Sequence, residues 1–294
     1  MSEVLEPRLR DRMIALPGRG GEMAAYELGP ADRPIDLVFS HANGFNARTY
    51  HSLLAPLADR YRVLMVDMRG HGRSRLPADP EGRTSWSDLA DDLLALLAVE
   101  DLTGVVLSGH SMGGCVSLLA AAEAPERVRS LVLFDPVVMS IDTPQPPREE
   151  MARSPLALGA RNRRAVFPSK AAVVEAYRGR GAFKTWPEAA LVDYVTDGFV
   201  ARPDGEVELA CAGAWEASNF TTADTAGFRA FGASRCPIRV LRAEHGSTCR
   251  VDGHIEALTA DGRIRIETVP GSSHFLPMER PDIVRDALGS ALAD

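Results

Sequence analysis

Gly109-His110-Ser111-Met112-Gly113 stands between an apolar run of strand character, Val105 to Leu107, and a helix-like run, Cys115 to Ala122. A serine at the apex of a tight strand-to-helix turn takes strained backbone angles, and only residues without bulky side chains fit two positions to either side of it. Gly109 and Gly113 meet that demand. The turn exposes the Ser111 hydroxyl at a helix N-terminus, where unpaired N–H groups, that of Met112 among them, stabilise a developing oxyanion. The same pentapeptide also suits a glycine-rich turn that merely lets a helix lie close to a sheet, so the sequence around it decides.

Working outward, short apolar runs alternate with helix-like stretches, the pattern of βαβ units and a mostly parallel sheet. The strand candidates are Asp36 to Phe39, Arg62 to Val66, Val105 to Leu107 and Ser130 to Phe134, with helix candidates at Tyr50 to Ala58, Trp86 to Val99 and Cys115 to Ala122. In the second helix Leu89, Leu93, Leu94, Leu96 and Leu97 form an apolar stripe with acidic residues opposite. Met13 to Leu16 and Met23 to Leu28 read as an edge hairpin across Pro17-Gly18.

Beyond Pro136 the rhythm changes to short helix candidates and Pro-rich joints such as Pro144-Gln145-Pro146-Pro147, with no comparable strand series until Ile238 to Leu241. A helix near His254 to Thr259, a strand at Ile264 to Val269 and a last helix from about Asp282 to Leu292 complete the chain. A structureless loop of that length does not suit a compact domain. The expected architecture is therefore an α/β core, residues 1–137 and 236–294, with a helical cap, residues 138–235, inserted into it.

At 294 residues, 45% hydrophobic and 25% charged, the composition is that of an ordinary globular protein. The net charge of −7 argues against a nucleic-acid partner. Met1 to Arg12 is charged and lacks the apolar region of a secretory signal, and no window approaches a membrane span, so a cytoplasmic location without membrane attachment is expected. Cys115, Cys211, Cys236 and Cys249 lack paired metal spacing and are too few for a disulfide framework; reduced structural thiols are expected, with no metal and no cofactor. Arg161-Asn162-Arg163-Arg164 reads as a solvated helix face. A small-molecule substrate is the expected partner, and the chain is read as a monomer or homodimer.

A serine hydroxyl is a weak nucleophile and needs a base, itself oriented by an acid. Among seven histidines His274 suits the base, because it follows the strand Ile264 to Val269 through Gly271-Ser272-Ser273 and emerges at the carboxyl edge of the sheet, where Ser111 lies.

These features together resemble an α/β-hydrolase with a cap domain. Ser40-His41-Ala42-Asn43-Gly44-Phe45 is similar to that family's His-Gly-x oxyanion loop, with Ala42 where glycine is usual, and Asp67-Met68-Arg69-Gly70-His71-Gly72-Arg73-Ser74 resembles its Asp-x-Arg-Gly-x-Gly-x-Ser turn. The segment Gly271 to Pro281 resembles its histidine loop. The resemblance implies an oxyanion hole made by the N–H groups of Met112 and Asn43. It implies an aspartate soon after the strand Ile238 to Leu241, but the sequence there is Arg242-Ala243-Glu244-His245-Gly246-Ser247. Asp135, in Phe134-Asp135-Pro136, resembles the alternative acid position of some capped members; Glu244 is the second candidate and Asp252 the third.

A serine in the elbow disfavours the dehalogenases and epoxide hydrolases of this fold. It leaves cleavage of a carboxylic ester or related acyl bond as the expected activity, with carbon–carbon bond hydrolysis, cofactor-free oxygenase or perhydrolase chemistry, and a non-catalytic ligand-binding role as alternatives. His41, His110, Trp215 and Phe220 are the candidate substrate contacts, although His41 in such loops is usually structural. Tyr177, Phe183, Trp186, Tyr194 and Phe199 either wall the pocket or pack the cap.

Overall fold

The computed structural model describes residues 9–142, 144–222 and 225–293. The first eight residues of the charged N-terminal stretch lie outside the described residues. Strands β1 (Arg10–Leu16) and β2 (Gly21–Leu28) form the expected hairpin, pairing antiparallel from Arg10 opposite Glu27 to Leu16 opposite Gly21. Next come β3 (Leu37–Ser40), β4 (Val63–Val66), β5 (Val105–His110) and β6 (Val128–Phe134). The inserted segment carries the short strands β7 (Val166–Phe167), β8 (Phe199–Ala201) and β9 (Val207–Leu209), and the core resumes with β10 (Ile238–His245) and β11 (Ile264–Ser273). The main sheet has eight strands in the order β1-β2-β4-β3-β5-β6-β10-β11, parallel from β4 onward.

The sequence explains why these strands sit inside. Every residue of β3, β4 and β5 is buried, the continuous apolar reading expected of parallel strands covered on both faces. Alternation then divides them: Val38, Leu64, Val66 and Leu107 face one core with Leu89, Leu93, Leu96 and Leu97 of the helix Ser87–Val99. Leu37, Phe39, Val63, Met65 and Val106 face a second core with Tyr50, Leu54, Val284 and Leu288. The helix expected over Tyr50 to Ala58 is instead broken into short pieces, Ala47–Tyr50, His51–Leu54 and Ala55–Leu57, and Pro56, which has no N–H to continue the ladder, lies at the last break.

Between β6 and β10 the insertion differs from the all-helical expectation. Its strands form a three-stranded antiparallel sheet in the order β7-β9-β8, each too short for periodicity to reveal. Aromatic residues fill its own core: Tyr177 and Phe183 stack with ring centroids 4.8 Å apart, and Tyr194 lies 5.0 Å from Phe183. The last helix before β10, Ala226–Ala233, belongs with the main core, into which it buries Ala230 and Phe231. Val138, at the other end, bridges to Cys249. The part that stands apart is thus shorter than residues 138–235.

Candidate active site

Ser111 is the N-cap of the helix Met112–Glu123 and has φ 56°, ψ −118°, a left-handed conformation strained for a residue with a side chain. The strain is held by packing and hydrogen bonds. Ser111 N–H donates to Phe134 O at 3.0 Å, and Ser111 O accepts from Val137 N–H at 3.1 Å. A Cβ at Gly113 would collide with the carbonyls of Ser40 and His41, and one at Gly109 with the backbone of Gly113. The glycines of the pentapeptide thus let β3, β5 and the helix meet at one point.

There the structure brings Ser111, His274 and Asp135 together. Ser111 Oγ lies 3.0 Å from His274 Nε2, and His274 Nδ1 lies 2.6 Å from Asp135 Oδ2. With its Nδ1–H on a carboxylate, His274 presents the Nε2 lone pair to the serine hydroxyl. Asp135 is fully buried at φ 40°, a conformation that a short polar side chain tolerates, and it turns the chain out of β6. Its Oδ1 accepts from Ala243 N–H at 2.9 Å and from Ser247 Oγ, and its Oδ2 accepts from Thr248 N–H at 3.0 Å. Burial raises the carboxyl pKa, but the hydrogen bonds from His274, Ser247 and Ala243 outweigh it and hold Asp135 below the ordinary carboxylate range.

The other acid candidates lie elsewhere. Glu244 accepts from Gly271 N–H at 2.8 Å at the exposed end of β10, and Asp252 pairs with Arg242 at 2.8 Å. The loop after β10, which lacks an aspartate, supplies the hydroxyls of Ser247 and Thr248 to Asp135 instead. In the sequence the only signal for these two residues is a pair of short hydroxyl side chains where an acid is expected.

Neither the N–H of Asn43 nor that of Met112 meets a protein acceptor among the described residues, and both residues line the cavity at Ser111. The Asn43 carboxamide faces the inserted segment, donating to Glu216 O at 3.0 Å and accepting from Asn219 Nδ2 at 2.8 Å. Two expected substrate contacts are corrected. His41 is fully buried, its Nδ1–H donating to Ala42 O at 2.7 Å and its Nε2 accepting from Met68 N–H at 2.9 Å, so both ring nitrogens serve the backbone. Trp215 is buried beneath the Arg83 guanidinium, 4.1 Å from the ring centroid, and donates to Arg69 O at 2.9 Å. It pegs the insertion to the core rather than facing substrate.

His110 and Phe220 do line the cavity. His110 also accepts from Tyr50 Oη at Nδ1 and donates from Nε2 to His274 O, each at 2.7 Å, so it fixes the backbone of the residue beside Ser111. The cavity has a volume of about 400 Å³, with Val137, Met139, Met151, Leu156 and Phe275 among its apolar walls. The four cysteines are buried thiols. No cluster of metal-ligating side chains, and no helix long and apolar enough to cross a membrane, occurs among the described residues.

Three buried imidazoles give the fold a pH dependence. Burial, with His71 beside it, pushes His41 well below the usual histidine range; burial takes His71 to about 4; burial and the neighbouring His274 take His110 to about 3. Their contribution to stability is present above the unfolded-state value of about 6.5 and is lost as pH falls toward the folded values. Asp67 opposes them, because burial raises it to about 7 and its contribution is lost as pH rises through that value. Below about pH 6.5, unfolding takes up protons at the histidines and releases one at Asp67, a net uptake. Stability is expected to fall by about 1–3 kcal/mol per pH unit from about pH 6.5 to 5. Urea unfolding midpoints measured across that interval check this, and a midpoint that rises with acid contradicts it.

The fold and the serine elbow define a class, and a model of the alpha/beta hydrolase family matches residues 37–287. The chain belongs to that family. It is 29% identical over 263 residues to the 2-(acetamidomethylene)succinate hydrolase of Mesorhizobium japonicum, covering 86% of each chain. Its fold matches a crystal structure of E-2-(acetamidomethylene)succinate hydrolase with a TM-score of 0.79 at 23% identity, over 98% of this chain and 100% of that one. It also matches the enol-lactonase of Burkholderia xenovorans with a TM-score of 0.68 at 20% identity, over 96% of this chain and 100% of that one.

Proposed function

We propose that this protein is a serine hydrolase that cleaves a carboxylic ester or related acyl bond of a small, partly apolar substrate through an acyl-enzyme on Ser111. The observation that carries the reading is the relay at one wall of the cavity, Ser111 Oγ to His274 Nε2 at 3.0 Å and His274 Nδ1 to Asp135 Oδ2 at 2.6 Å. His274 takes the hydroxyl proton as Ser111 attacks the acyl carbon, and the N–H groups of Met112 and Asn43 receive the oxyanion. The carbonyl re-forms, the bond to the leaving group breaks, and His274 delivers its proton to that group. Water then attacks the acyl-enzyme, giving its proton to His274, which returns it to Ser111 as the acid departs. Asp135 stays ionised throughout and orients the imidazole. The apolar walls and the inserted segment above Ser111 favour a small substrate with an apolar part.

The Mesorhizobium relative is named as the hydrolase of an acetamido compound, which supports testing amides beside esters. Steady-state assays of para-nitrophenyl acetate, butyrate and octanoate and of a para-nitroanilide test the reading. Multiple turnovers are expected, with the shorter esters preferred. Absence of turnover across the whole series by folded protein would overturn the ester and amide reading.

A further inference from the structure

The walls of the cavity carry charged side chains at Glu216 and Arg250, and the two stand differently. Glu216 is neutralised from behind by Arg163, with Nη1 to Oε2 at 2.8 Å, and that guanidinium also donates to Tyr194 Oη at 2.8 Å. Arg250 makes neither an ion pair nor a side-chain hydrogen bond to any other described residue. Its main chain is nevertheless fixed. Arg250 N–H donates to Val138 O at 2.9 Å, Cys249 bridges to Val138, and Cys249 and Val251 on either side are fully buried. An anchored backbone thus carries, at the edge of the cavity, an exposed arginine with no ionic partner among the described residues, and the same arginine walls a recess of about 170 Å³ with Met139, Ser140 and Gln145.

Chemistry narrows what such a group receives. Guanidinium presents a planar fork of N–H donors that matches a carboxylate in bidentate fashion, and the bond strengthens where apolar walls displace water. Met139 and Met151, both partly buried, line the cavity with Arg250. One guanidinium matches one monoanionic carboxylate.

Resting on the acyl-hydrolase reading, we infer that Arg250 selects substrates that carry a carboxylate remote from the scissile acyl bond. Arg250 is a specificity residue and takes no part in bond breaking. The test compares the para-nitrophenyl monoester of glutaric acid with para-nitrophenyl pentanoate, its neutral counterpart of similar length, on the wild-type chain, Arg250→Lys and Arg250→Gln. Wild type is expected to prefer the acidic ester in kcat/KM by about 3- to 10-fold, because the exposed guanidinium is screened by solvent. Arg250→Gln is expected to bring that ratio close to one through KM, and Arg250→Lys to retain part of it. The same two compounds titrated into Ser111→Ala and Ser111→Ala/Arg250→Gln give the comparison as dissociation constants, without turnover. A wild-type chain indifferent to the carboxylate, or a preference that survives Arg250→Gln, overturns the inference while leaving the Ser111 chemistry standing. Carboxylate-dependent binding to the wild-type chain with no turnover of either ester keeps Arg250 as the carboxylate-binding group and overturns the hydrolase reading.

Discussion

Ser111→Ala is expected to lower kcat by about 10,000-fold or more, with the fold intact. Ser111 Oγ is the hydroxyl within reach of His274 Nε2, at 3.0 Å, and its strained backbone exists because two glycines admit the crossing of β3, β5 and the helix beneath it. Alanine keeps the backbone, the helix N-terminus and the N–H groups of Met112 and Asn43, so substrate binding survives while the bond-forming atom is lost. Any residual rate reflects water attacking a carbonyl polarised by those donors. Turnover of para-nitrophenyl butyrate, with the thermal midpoint as a control for folding, measures the effect; activity within tenfold of wild type contradicts it.

Asp135→Asn is expected to cost about as much, again near 10,000-fold in kcat. A neutral carboxamide cannot stabilise the imidazolium that forms when His274 takes the serine proton. It also turns an NH₂ group toward a site built of donors: Ala243 N–H, Ser247 Oγ and Thr248 N–H all point at the carboxylate. Either His274 loses the tautomer that faces Ser111 or one of those donors loses its acceptor. Glu244→Gln is the matched control. Among the described residues Glu244 meets the turn at Gly271 and its own neighbour His245, so turnover by Glu244→Gln is expected within about threefold of wild type. Reversal of the two results would place the acid on the other strand.

The elbow and the sheet were legible in the sequence because both rest on local rules. A serine flanked at two positions by glycine between a strand and a helix has few other uses, and the runs at β3, β4 and β5 are apolar throughout because both sheet faces are covered. His274 was legible from its place after the last strand. Side-chain partners far apart in sequence were not. Asn43 meets Asn219 across 176 positions, and Trp215 reaches Arg69 across 146. Periodicity carries no signal for such pairs, so an aromatic residue that pegs the insertion to the core looked like a pocket wall. The support of Asp135 by Ser247 and Thr248 was hidden for a related reason, since a hydroxyl pair satisfies a buried carboxylate without any spacing that sets it apart from an ordinary turn. The strands of the insertion, two or three residues long, fall below the length at which alternation becomes a pattern.

The most direct measurement is the mass of the enzyme and its peptides after reaction with a fluorophosphonate, taken alongside turnover of para-nitrophenyl butyrate. The account predicts one phosphonyl group per chain, on the peptide that carries Ser111, with activity lost in proportion to labelling and no adduct on Ser111→Ala. An adduct on a different residue, or full turnover by a chain labelled at Ser111, would contradict it.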